Sequence, residues 1–220
     1  GQFAAQRLAQ GLPYTIDAAS SRSAHWPVGT SFMYSLVYRV FDPQSSGYTA
    51  VTVVNVLISL AVVGLAMGLA TRWFGARAGT VTGVLLAFWP MHIEFTTIIA
   101  SEPIFTACIM AGLLAWPDAR DRSAGLSESY GRIALAALFF GMATYTRPTS
   151  LLIPIILGGI EAVRNRSFIR PAFHAGLAML ILLVALSPWT YRNYCVFGKL
   201  VLVSTNGGTN MWMGNNPDTT

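Results

Sequence analysis

Charge is what this chain has least of. Charged residues make up 10% of it, nine acids against fourteen bases, where a soluble domain usually carries about 25%. So few ionic groups cannot coat a water-facing surface of 220 residues, which excludes a soluble protein built on one core. Disorder is excluded from the other side: 54% of the residues are hydrophobic, and a disordered chain needs low hydrophobicity. Cysteine is scarce too. Cys108 lies in an apolar run and Cys195 is far from it; without a CxxC pair, neither a disulfide nor a thiolate metal site is expected. No signal peptide is visible, because the first 25 residues hold Arg7, Asp17 and Arg22 and no apolar stretch. Gly1 stands where a Met would open a complete chain, and Thr220 ends a Gly/Asn-rich stretch, so a piece truncated at both ends is expected.

What is abundant is apolar length. A mean hydropathy of +0.53 leaves an all-α, polytopic transmembrane helical bundle. The basic balance, +5, does not indicate nucleic acid, because the Arg residues fall in short clusters between apolar runs rather than on one stripe. A spanning helix needs roughly 20 apolar residues. Between Asp42 and Arg72 there is no charge, and Thr49 to Thr71 is the strongest span. A second lies between Arg170 and Arg192. Shorter runs, Ala78–Ile93, Pro103–Pro117, Ile133–Thr146 and Pro148–Ile160, bring the expectation to about six spans over residues 49–190. Arg147-Pro148 decides the middle. Pro disfavours helix in the residue before it, and an Arg at the midplane costs about 2.5–3.5 kcal/mol on insertion scales. Two helices turning at Arg147 are therefore expected, not one long one.

Charge sets the orientation. The short loops 71–77, 118–132 and 164–170 hold Arg72, Arg77, Arg120, Arg122, Arg132, Arg164, Arg166 and Arg170, while the opposite connections hold only Arg147. Positive loops face the cytoplasm. Residues 1–48 then form an extracytoplasmic first loop, and residues 191–220 begin a further one. The Gly64-x-x-x-Gly68 pair reads as a small-residue face for close helix packing.

The unusual residues gather on the outer side. Glu102, in Ser101-Glu102-Pro103, sits where Ser101 would cap a helix and the helix dipole favours an anion; it is also a carboxylate at the membrane boundary, able to orient or deprotonate a hydroxyl. Glu94 reads mainly as the solvated end of a span. Arg147 either snorkels to headgroups or grips a phosphate, for which a guanidinium is suited. Arg192 and Asn193 follow Pro188-Trp189, with Trp189 and Tyr191 read as interface anchors. His25 lies in the rigid turn His25-Trp26-Pro27-Val28-Gly29, and a lone loop His is more often neither donor nor ligand. The tail Asn206 to Pro217 combines Gly, Asn and Trp in a turn-rich loop whose chemistry suits carbohydrate.

Taken in order, these pieces resemble the bacterial GT-C fold integral-membrane glycosyltransferases, the protein O-mannosyltransferase and aminoarabinose-transferase-like group. The resemblance rests on A-x-x-L-A-x-G-x-x-Y (Ala5 to Tyr14), a Pro27–Gly29 turn, and Glu102-Pro103 opening a helix. It rests also on Arg147 at a break, and on Pro-Trp-x-x-Arg-Asn-Tyr (Pro188 to Tyr194) followed by Ser-Thr-Asn-Gly-Gly. It implies inverting transfer of a sugar from a polyprenyl-phosphate carrier to a lipid, glycan or protein acceptor at the outer face of a bacterial plasma membrane. Glu102 would be the second acidic, catalytic residue. Arg147 would bind the carrier phosphate and Arg192 would be a further candidate for phosphate or structure, with His25, Glu94 and Asn193 as further substrate contacts and membrane lipids as surroundings. No cofactor is implied; a divalent metal is possible but not indicated. The main catalytic Asp of that group is expected upstream of Gly1, since Asp17 follows the first motif, so residues 1–220 alone are expected to be inactive. The competing expectation is a transporter or lipid flippase, which would place ionisable groups near the bilayer midplane in repeated halves.

Overall fold

A computed structural model describes residues 2–16, 22–117 and 126–216, and every regular element among them is helical. In chain order these are α1 (Gln2–Ala9), α2 (Gly29–Tyr38), α3 (Gly47–Phe74), α4 (Ala76–Ala87), α5 (Pro90–Glu94), α6 (Glu102–Ala115) and α7 (Leu126–Thr146). A 3-10 turn (Pro148–Leu152) leads into α8 (Ile153–Asn165), α9 (Ile169–Phe197) and α10 (Asn206–Asn215). Asp17, Arg120, Arg122 and Pro217 lie outside the described residues.

Among the described residues two helices are long and apolar enough to cross a bilayer, α3 and α9. Only 28% of each apolar window is buried, so Val53, Leu57 and Leu60 of α3, and Leu180 and Val184 of α9, face outward. A core helix of a soluble protein would hide such residues; an outward apolar face suits lipid. Of the four remaining expected spans, the one in α7 belongs to a helix of 21 residues whose first turns carry Glu128 and Arg132, and the other three are shorter than bilayer thickness. At 1.5 Å per residue, α4, α6 and α8 rise only about 18–21 Å, against the roughly 30 Å of a hydrocarbon core. The observed helices thus bear out the all-helical class and two full spans, not six of full length.

The turn at Arg147 is present. Arg147 is extended (φ −147°, ψ 118°), as a residue before Pro must be, and its N–H still closes α7 on the Ala143 carbonyl at 2.8 Å. The core forms where α7 meets α9: Ile133, Ala136, Ala137 and Phe140 pack against Ala178, Leu182 and Leu186, each set at helical spacing. Apolar burial gains little between helices already in lipid, so close approach and hydrogen bonds hold such helices together. The Tyr145 hydroxyl donates to the Ala185 carbonyl at 2.8 Å, joining α7 to α9. On α3, fully buried Asn55 accepts from the Tyr34 hydroxyl at 2.5 Å and donates to the Ile98 carbonyl at 2.9 Å. It thereby fixes both α2 and the segment entering α6.

Four local expectations change. Residues 1–48 are not simply a loop, because α1 and α2 pack through Ala5, Tyr34 and Tyr38 onto Val51 of α3 and Ile104 of α6. Of the Gly64–Gly68 pair, Gly64 meets open space and Gly68 is in ordinary contact with Leu114 of α6; the closest approach to α3 falls to Gly79 of α4, where an added Cβ would stand 2.9 Å from the Met67 carbonyl oxygen. Helix α9 does not end near Trp189 but runs through Pro188 to Phe197. The Val184 carbonyl, which Pro188 cannot serve for want of an N–H, accepts instead from the Ser187 hydroxyl at 2.8 Å. Finally, the Gly/Asn tail forms α10 rather than successive turns.

Candidate active site

The helix break and the Ser-Glu-Pro entry, 45 residues apart, come together. Arg147 Nη2 donates to Glu102 Oε1, and Nε donates to Ser101 Oγ at 3.0 Å. Ser101 Oγ also lies 3.3 Å from Glu102 Oε2 as a donor. Ser101 therefore does not cap α6: its hydroxyl is committed to the ion pair and makes no capping bond. The Arg147 Cζ stands 5.7 Å from the Phe105 ring centroid, one turn further along α6. Behind the break, Thr144 Oγ1 and Ser150 Oγ lie 2.9 Å apart, and Ser150 donates to the Arg147 carbonyl at 3.1 Å. The backbone holding Arg147 is thus tied on both sides.

Two concavities flank the pair. One has a volume of about 540 Å³ and takes Arg147, Ser101, Thr149, Tyr14, Trp26 and Asn206 into its wall, within the range of ligand sites. The other, about 330 Å³, is bounded by Glu102 and by Val62, Leu86, Trp89, His92 and Phe95. The wall of the first mixes hydroxyls, amides and the Arg147 guanidinium with a larger apolar surface; the second is almost wholly aliphatic and aromatic. Glu102 and Arg147 form the seam between them. In the first, the Tyr14 hydroxyl donates to the Trp26 carbonyl at 3.2 Å. Burial pushes the Tyr14 phenol above its ordinary value, a Ser31 hydrogen bond and the Arg192 charge pulling back.

The remaining sequence candidates go elsewhere. Arg192 donates to the Ser23 carbonyl and to Asn193 Oδ1, each at 2.9 Å, and more weakly to the Tyr14 carbonyl at 3.4 Å. It covers the Trp189 ring at 4.7 Å. Asn193 is fully buried and donates to the Val201 carbonyl at 3.0 Å. Arg192 ties the first loop to the end of α9, Asn193 ties that end to the segment following it, and neither lines the Arg147 cavity. Trp189 belongs to the same joint: it meets Tyr14 edge-on at 5.5 Å and donates to the Val203 carbonyl at 2.8 Å. It is an internal strut more than a lipid-facing anchor. His25 stacks edge-on with Trp26 at 5.0 Å, and its carbonyl accepts from Asn206. Glu94 is exposed at the end of α5 and lines neither concavity, although its neighbours His92 and Phe95 line the second.

A second polar cluster escaped the sequence reading. His174 Nδ1 bonds Glu161 Oε2 at 3.0 Å, and Ser129 Oγ lies 3.5 Å from Nε2, all three buried. They join α7, α8 and α9 at the end opposite Arg147. At that end Arg72 and Arg132 donate to the final carbonyls of α6, Leu114, Ala115 and Trp116, as cations at a helix C-terminus should. Glu161 and His174 are thirteen residues apart on different helices, a separation that carries no local pattern. Among the described residues no three His, Cys, Asp or Glu side chains converge as metal ligands.

The sequence profile of the dolichyl-phosphate-mannose-protein mannosyltransferases matches residues 25–191. The matched region contains His25, Glu94, Glu102 and Arg147, and leaves out Arg192, Asn193, the Ala5–Tyr14 motif and the Asn/Gly tail. No curated protein and no solved structure gives a significant match.

Proposed function

The chain belongs to the dolichyl-phosphate-mannose-protein mannosyltransferase family, and from that premise we propose that it moves a sugar from a polyprenyl-phosphate carrier to an acceptor hydroxyl, with inversion, at the outer face of a bacterial inner membrane. The acceptor oxygen forms a bond to the anomeric carbon as the bond from that carbon to the phosphate oxygen breaks. The phosphate leaves with the bonding electrons, and the acceptor proton passes to a carboxylate.

The observation that carries this reading is the seam. Arg147 and Glu102 are charged groups between the more polar of the two concavities and an almost wholly apolar groove, the arrangement a ligand with a charged head and a long hydrocarbon tail would need. The phosphate takes Arg147, whose charge offsets what develops on the leaving group; Glu102 orients Arg147 and stands ready for an acceptor hydroxyl. The isoprenoid chain follows the groove past Phe95 and Trp89. Arg192 serves as a support for the first loop.

The test is transfer of labelled sugar from polyprenyl-phosphate donors by the full-length protein in proteoliposomes. Glu102→Gln and Arg147→Ala each lower it at least tenfold while the inserted protein stays at its normal level. Undiminished transfer in both variants would refute the assignment.

A further inference from the structure

Helix α10 is an improbable helix, with Gly207, Gly208 and Gly214 among its ten residues and each Gly costing about 1 kcal/mol relative to Ala. Tertiary contacts fix where it starts. The Thr205 and Asn206 N–H groups donate to the Ala24 and His25 carbonyls at 2.8 and 3.2 Å. Ser204 donates to Asn206 Oδ1 at 2.8 Å. The segment before it is held through the Val201 and Val203 carbonyls by Asn193 and Trp189.

Anchored there, α10 contributes Asn206, Gly207 and Asn210 to the cavity that also takes in Trp26 and Arg147. A spacing of four residues keeps the two Asn side chains on one helix face. Their amides are largely uncommitted: among the described residues Asn206 Nδ2 makes no hydrogen bond, and neither does the Asn210 side chain. Trp26 leaves half of its surface exposed (49%). A pyranose has the matching chemistry. Its C–H face lies against an aromatic ring, and its rim hydroxyls take and give hydrogen bonds, as a carboxamide does.

We infer that Trp26, Asn206 and Asn210 form the subsite for the transferred sugar, and that α10 sets which sugar is accepted. This rests on the transferase reading above, since it is the phosphate on Arg147 that brings the sugar into this cavity. Trp26 supplies affinity for any pyranose, and the Asn pair distinguishes the orientation of individual hydroxyls.

The experiment uses the full-length protein in proteoliposomes with equimolar polyprenyl-phosphate donors whose sugars differ at one hydroxyl, and with sugar-free polyprenyl phosphate as inhibitor. Asn210→Ala shrinks the preference among donors at least fivefold. Trp26→Ala raises KM for every donor about tenfold, Trp26→Tyr restores most of it, and inhibition by the sugar-free carrier stays the same in all three variants. Transfer that keeps its donor preference in Asn210→Ala and its KM in Trp26→Ala overturns the subsite and leaves the transferase reading intact. Equal weakening of donor and sugar-free carrier overturns it as well, since that marks a merely structural role. No transfer from any donor by the unaltered protein removes the transferase reading, and the subsite with it.

Discussion

The Arg147 guanidinium closes on the Glu102 carboxylate where the end of α7 passes the start of α6. The two side chains remain 41% and 38% exposed, so the pair adds only about 0–1 kcal/mol to stability. Holding a cation and an anion at an open seam does little for the fold. On the proposed reading its value lies in what would exchange with it: an incoming phosphate would compete with Glu102 for Arg147 and free the carboxylate for the acceptor.

Orientation is the first prediction. In a protein freed of Cys108 and Cys195, Ser45→Cys reacts with a membrane-impermeant thiol reagent added to intact cells, and Ser167→Cys reacts only after permeabilisation. Both positions are exposed, so access depends on sidedness. The reverse pattern would turn the chain over and put the Arg147 cavity in the cytoplasm.

The buried Glu161–His174 pair predicts a non-additive stability effect. Removing one partner with Glu161→Ala or His174→Ala strands the other in the interior, at a cost of about 3–5 kcal/mol. An apolar replacement of both, Glu161→Leu with His174→Phe, costs less than the sum of the singles. Thermal unfolding in detergent of all three gives the cycle; a double variant as unstable as the summed singles would contradict the pairing.

Glycine substitutions divide by what lies opposite them. At Gly29 a Cβ would stand 2.6 Å from the Tyr145 backbone, so Gly29→Ala pushes α2 away from the end of α7 and lowers the yield of folded protein. At Gly64 nothing lies within 4 Å, and Gly64→Ala, inside α3, leaves stability unchanged or raises it by up to about 1 kcal/mol. Equal behaviour of the two in a detergent melting assay would show that the α2–α7 contact is misplaced.

Helical class, the two longest spans and the break at Arg147 were legible because each follows from a local rule: unbroken apolar length, or Pro acting on its predecessor. The pairing of Arg147 with Glu102 was not, since each residue was read in its own loop and only the packing of α6 against α7 brings them together. Arg192 and Asn193 looked like site residues by type, but an Arg beside carbonyls and a buried amide are equally good struts, and that choice depends on distant partners at Tyr14, Ser23 and Val201. The helical tail was illegible for the same reason. Its glycines argue against helix, and the carbonyls of Ala24 and His25 that overrule them lie about 180 residues earlier.

Alkaline pH supplies a fourth prediction. Burial pushes the Tyr34 phenol up to about 12 from an ordinary 10, against a smaller opposing effect of its Asn55 hydrogen bond. The folded state therefore holds this proton more tightly than the unfolded one. The associated stability is complete below pH 10 and is lost as pH rises toward 12. Tyr34→Phe removes that share of the pH dependence, so its melting temperature falls less steeply over this interval than that of the unaltered protein. Parallel slopes would show that Tyr34 is not the titrating group.

The most direct measurement is the affinity of the full-length protein for sugar-free polyprenyl phosphate, compared between unaltered, Arg147→Ala and Arg192→Ala forms. A phosphate held by Arg147 weakens at least tenfold in Arg147→Ala and, provided the first loop stays folded, holds within about twofold in Arg192→Ala. Undiminished binding in Arg147→Ala would contradict the account.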